Sequence, residues 1–184
     1  GGFWGQLKPV DYPDSWGKVN QILNEDKQKF LVLFFPWHQY LALSFNMNRT
    51  SSNPAPYFFD KPILSSQNYE TVSLYTHDNR FEALHVEGLL SIEKEGLNLL
   101  GENVYEKKSW GDALSPIDVK YIILAKEDDW KSYRFLDRSK DLEKIFEDDN
   151  LILYKNNRWS IDSINETLPI EEYTQEDIKN LEEN

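Results

Sequence analysis

The sequence predicts an α/β fold: a mixed sheet of about four to six strands with flanking helices, in a single domain. Three apolar runs carry that prediction: Lys29 to Phe35, Val119 to Ala125 and Leu151 to Lys155. Each is short and rich in Val, Ile, Leu or Phe, as a strand buried on both faces requires. Helical spacing recurs between them. The length of 184 residues fits one domain with appendages.

Taken in order, residues 1–13 form an irregular lead-in with Gly5, Pro9 and Pro13. Asp14 or Ser15 is placed to cap a helix over roughly 15–25, where a short oxygen side chain meets a free N–H. Trp16, Val19 and Leu23 then share a face. The first strand follows and stops at Pro36. It opens into Trp37-His38-Gln39-Tyr40, a polar-aromatic cluster at a strand's C-terminal end, where open α/β sheets bind ligands.

Residues 46–68, with Pro54, Pro56 and Pro62, read as a long loop holding one short extended piece, Tyr57–Phe59. Val72 to Tyr75 reads as a short strand. Residues 79–100 read as a helix with Phe81, Leu84, Leu89, Ile92 and Leu99 near one face, weakened by Gly88 and Gly96. Ser109 to Leu114 reads as a short helix before Pro116.

Asp128 to Asp137 reads as helix or loop. Ser139 is placed to cap a helix through Asp148, with Leu142, Ile145 and Phe146 at helical spacing. That helix suggests a crossover between the last two apolar runs, though the short connection leaves an antiparallel pair open. Asn156-Asn157 begins a turn, and Trp159 to Ile164 reads as a further short strand. The domain is expected to span 1–168. Residues 169–184, with six acids against Lys179, read as an acidic terminal helix or linker.

Composition excludes several chemistries. A net charge of −12 opposes a phosphate backbone, so no nucleic-acid partner is expected. The absence of cysteine removes thiol catalysis, disulfides and cysteine-bound zinc. His38, His77 and His85 lack the spacing that sets two ligands on one helix face, so no metal is expected. No glycine-rich phosphate loop, nucleophile elbow or zinc-protease helix occurs, and no cofactor is expected. Asp148-Asp149-Asn150 is explained by turn chemistry.

Trp37, His38, Gln39 and Tyr40 form the candidate ligand site. Aromatic faces stack on the C–H faces of sugar rings, while His and Gln hydrogen-bond hydroxyls. The alternative is a strand end whose aromatics pack beneath the loop. No partner for His38 is evident from the sequence. Asn48-Arg49-Thr50 and Asn165-Glu166-Thr167 are glycosylation sequons, with acceptors Asn48 and Asn165.

Two blocks carry a family resemblance. The first runs from Asp11-Tyr12-Pro13-Asp14-Ser15-Trp16 through the strand to Tyr40. The second joins Leu114-Ser-Pro-Ile-Asp-Val-Lys-Tyr-Ile-Ile-Leu124 to Asn150-Leu-Ile-Leu-Tyr-Lys-Asn156. Together they resemble the soluble segment of large multi-spanning archaeal and bacterial membrane proteins, themselves similar to C-type glycosyltransferases that use lipid-linked sugar donors. The resemblance covers roughly residues 3–157. It implies an α/β domain on the extracytoplasmic face of the membrane. Its partners would be the transmembrane portion of the same polypeptide and a glycan or lipid-linked sugar. It implies catalytic acids on loops of the membrane portion and none in this chain. The Trp-Trp-Asp signature of oligosaccharyltransferases is absent, and Ser109-Trp110-Gly111-Asp112 does not replace it.

Three functions follow as expectations. The first is an accessory, glycan- or acceptor-recognising or structural domain of such a protein. The second is an independent soluble carbohydrate-active hydrolase using a carboxylate pair or His38. The third is a protein interaction module built on loop 46–68 and its aromatics Tyr57, Phe58 and Phe59.

Overall fold

The computed structural model describes residues 11–67, 69–71, 74–76, 79–95 and 109–160. Its centre is a five-stranded mixed sheet. The strands are β1 (Leu31–Phe35), β4 (Ile63–Leu64), β7 (Val119–Ala125), β8 (Leu142–Glu147) and β9 (Leu151–Asn156), in the order β4-β1-β7-β9-β8. β1 runs parallel to β4 and β7, with Val32 opposite Tyr121 and Phe35 opposite Leu124. β9 runs antiparallel to both β7 and β8. The α/β class with a mixed sheet and flanking helices is therefore what the chain adopts.

The apolar runs of β1, β7 and β9 are explained by burial on both faces, since successive side chains point to opposite sides. Leu33, Phe35, Ile122, Leu124, Ile152 and Tyr154 face one core. That side is covered by α3 (Phe81–Glu95), α4 (Trp110–Leu114) and the 3₁₀ helix Trp130–Arg138. Val32, Phe34, Tyr121, Ile123, Leu151 and Leu153 face the other. There they meet Trp16, Val19 and Leu23 of α1 (Asp14–Glu25), with Leu41 and Leu43 of β2 (Tyr40–Leu43).

Several local expectations change. The residue before α1 is Pro13, and no side chain caps the helix; Asp14 lies within its first turn and Ser15 is buried. Segment 46–68 is not one long loop. β2 pairs with β3 (Arg49–Ser52) across a turn where Met47 and Asn48 both take φ of 54°. Tyr57 lies in a helical turn, α2 (Ala55–Phe58), rather than an extended piece. Two short strands, β5 (Tyr69–Thr71) and β6 (Leu74–Thr76), replace the single strand expected at 72–75.

α3 buries Ala83, Val86, Leu89 and Leu90, while Phe81, Leu84 and Ile92 are exposed. Of the expected apolar face Leu89 is buried, while Phe81, Leu84 and Ile92 lie on the opposite side of the helix from the sheet. Positions 83, 86 and 90 form the i, i+3, i+7 stripe that meets the sheet. Residues 96–100 lie outside the described residues.

The largest correction is the expected helix from Ser139, which is strand β8. Asp148 Oδ1 accepts from the amides of Asn150 and Leu151, 2.9 Å each, and closes a hairpin into β9. Ladder hydrogen bonds and that turn outweigh a helical pattern of only three apolar residues. A register shift between Lys144 and Phe146 leaves Ile145 as the bulge residue. Charged Glu143, Lys144 and Glu147 suit an edge strand. The last two long strands are thus antiparallel neighbours without a crossover. Trp159 and Ser160 are not in a strand, and 161–164, Asn165 and 169–184 lie outside the described residues. Among the described residues no helix is long and apolar enough to cross a membrane.

Candidate functional site

Because β1 and β7 are parallel neighbours, their C-terminal ends lie side by side. β1 continues through a cis Phe35–Pro36 bond into 37–40. β7 continues into Lys126-Glu127-Asp128-Asp129. Between the two continuations lies an open cleft of about 540 Å³ lined by His38, Tyr40, Ala42, Thr50, Asp128 and Asp129.

Strand alternation builds the floor. Leu41 and Leu43 of β2 enter the core, so Tyr40 and Ala42 point the other way. Thr50 joins them because it stands opposite Ala42 in the β2–β3 ladder. Tyr40 is 40% exposed, so part of its ring is open to a ligand.

Asp128 and Asp129 form the wall, and with the buried Glu127 before them they hold the segment that carries the floor. Glu127 accepts from Ser44 twice, from the amide at 3.1 Å and the hydroxyl at 2.6 Å. Asp128 Oδ2 accepts from the Ala42 amide at 2.9 Å. Asp129 Oδ1 lies 3.0 Å from His38 Nε2. Asp128 takes a left-handed φ of 47°, which Asp tolerates better than most residues. His38 therefore has a partner that the sequence alone does not reveal. The informative signal is topological: parallel pairing of β1 with β7 brings 36–40 against 126–129.

The four sequence-predicted residues separate. His38 and Tyr40 line the cleft. Trp37 is buried, its amide donating to Tyr133 Oη at 2.9 Å and its ring edge-on to Phe35. Gln39 contributes its backbone carbonyl, which accepts from the Asn53 amide at 2.8 Å, and does not line the cleft. Asn48 is exposed at the β2–β3 turn, open to modification.

The chemistry available is recognition of hydroxyls. Asp128 and Asp129 retain acceptor capacity, Thr50 both donates and accepts, and Tyr40 offers a ring face. The two carboxylates sit on one loop and each already holds a group from the floor, whereas glycoside hydrolysis needs two acids flanking the scissile bond. No group of three or more metal-ligating side chains occurs among the described residues. His85 contacts the Ala113 carbonyl at 2.7 Å, away from His38, and His77 lies outside the described residues. Of the 57–59 aromatics, Tyr57 is 89% exposed, Phe59 is buried and Phe58 packs on Tyr12 and Trp16. That leaves a single exposed ring for a docking surface.

No family model matches the chain, and no curated protein or solved structure is detectably similar to it.

Proposed function

We propose that this chain is the extracytoplasmic recognition domain of a membrane-embedded, glycosyltransferase-like protein, and that its cleft binds a glycan or acceptor. The observation that carries the reading is the cleft itself. A half-open tyrosine ring and the polar groups of His38, Thr50, Asp128 and Asp129 converge at the C-terminal ends of parallel strands. Its openness suits a saccharide lying along a surface. The resemblance of residues 3–157 to outer segments of such membrane proteins supports the setting. On this reading the catalytic acids belong to the transmembrane portion of the same polypeptide.

Two experiments test it. A glycan-binding screen should show ligands retained by the wild type and lost by Tyr40→Ala and His38→Ala. Equal retention by all three would remove the cleft from the proposal. The complete coding sequence should carry multiple apolar spans; a reading frame without them would overturn the membrane setting. The His38–Asp129 pair favours a carbohydrate hydrolase as the second reading, because a carboxylate can orient an imidazole base. Turnover of chromogenic glycosides that vanishes in Asp129→Asn would establish it.

A further inference from the structure

Asp129 also belongs to a second concavity. A groove of about 380 Å³ lies between α3 and the 3₁₀ helix Trp130–Arg138. Its polar lining includes Glu93, Asp129, Lys131, Ser132, Arg134 and Arg138. The segment 130–140 carries Lys131, Arg134, Arg138 and Lys140 against Asp137 alone, in a chain of net charge −12. Tyr133, Phe135 and Leu136 anchor the helix in the core, which holds the intervening cations outward. In a 3₁₀ helix, residues three apart eclipse one another, so Lys131 and Arg134 lie on one ridge.

These cations have capacity to spare. Lys131 makes no ion pair among the described residues. Arg138 is 77% exposed and meets Glu93 at 3.1 Å through one nitrogen. Arg134, 51% exposed, engages Asp137 through Nε, leaving its terminal nitrogens. The two lining carboxylates are already engaged, Glu93 by Arg138 and Asp129 by His38.

We propose that this groove receives the carboxylate of an acidic saccharide whose uncharged part lies in the adjoining cleft. The proposal rests on the glycan reading above and adds the class of glycan. The two concavities meet at Asp129, so one ligand a few sugar units long can occupy both. A guanidinium presents paired donors that match a carboxylate.

The test titrates the 184-residue protein with an aldotriouronic acid (one glucuronate on two neutral xylose units), its neutral methyl ester and sodium sulfate, by calorimetry at low and high salt. The aldotriouronic acid should bind about tenfold tighter than the ester at low salt, with the margin shrinking as salt screens it. The exposed charge reversals Lys131→Glu and Arg138→Glu should erase the margin and leave ester binding unchanged. Equal binding of acid and ester by the wild type would overturn the inference while leaving the glycan reading intact. Binding of neither would overturn the inference, while the glycan screen decides the broader reading. Sulfate binding as tight as that of the aldotriouronic acid would reduce the groove to a simple anion site and also overturn it.

Discussion

His38 Nε2 stands 3.0 Å from Asp129 Oδ1, and this contact joins the segment that leaves β1 to the segment that leaves β7. The side chains are 33% and 48% exposed. A pair so open to solvent contributes under about 1 kcal/mol to stability. Its consequence lies in where it holds the imidazole. Asp129→Asn should leave the urea midpoint almost unchanged and weaken glycan binding about tenfold. A large midpoint shift would show the pair to be structural instead.

Tyr40 and Trp37 should separate binding from folding. Tyr40→Ala removes a half-exposed ring and should change stability by less than about 0.5 kcal/mol. Trp37→Ala empties a core position beside Phe35 and should cost about 3–5 kcal/mol. Urea denaturation of both variants checks this. Lost binding in Trp37→Ala is therefore interpretable only at temperatures where the variant remains folded.

Gly111 and Gly88 should respond to alanine with opposite signs. A Cβ on Gly111 would stand under 3.0 Å from Asn156 Oδ1 and Asp141 Oδ2. Both belong to a buried network in which Asn156 donates to the Gly111 and Val119 carbonyls at 3.0 Å. Gly111→Ala should cost about 1–3 kcal/mol. A Cβ on Gly88, inside α3, meets nothing within 4 Å. Gly88→Ala should stabilise by about 0.5–1 kcal/mol. Thermal melts of the pair decide the matter.

Acid should unfold the domain through carboxylates far from the cleft. Burial pushes Asp141 up, but the hydroxyls of Ser109 and Ser139 and the amides of Asp112 and Gly111 together hold its carboxyl below the usual range. Burial likewise raises Asp137, and Tyr154, Lys144 and Arg134 more than reverse it. A carboxylate depressed in the folded state contributes stability above its unfolded pKa of about 3.9. That contribution is lost as pH falls through the lower folded value. The urea midpoint should hold steady from pH 7 to about 5 and drop steeply below 4. Asp141→Asn, less stable at neutrality, should show a shallower drop; an unchanged slope would remove Asp141 from the account.

The core of the sheet was legible in the sequence because β1, β7 and β9 are buried on both faces and read as unbroken apolar runs. β8 was not, since Leu142, Ile145 and Phe146 imitate a helical face and the bulge at Ile145 hides the two-residue alternation. The β2–β3 hairpin was missed because its turn is Met47-Asn48 rather than a glycine pair. Half of the site was legible, as the end of a strand. The other half, Glu127-Asp128-Asp129, looks in sequence like ordinary solvated acids. Only the neighbour relation between β1 and β7 gives those acids something to hold.

The three carboxylates after β7 set the order in which the cleft can be made. Its floor is complete in the chain by Thr50, while its wall arrives almost eighty residues later with Asp128 and Asp129. The contacts that close the cleft are thus non-local in sequence, the kind that slows folding because loop closure must precede them. A formed cleft therefore requires that β7 lie beside β1. A ligand for it would select fully assembled domains over partly folded ones.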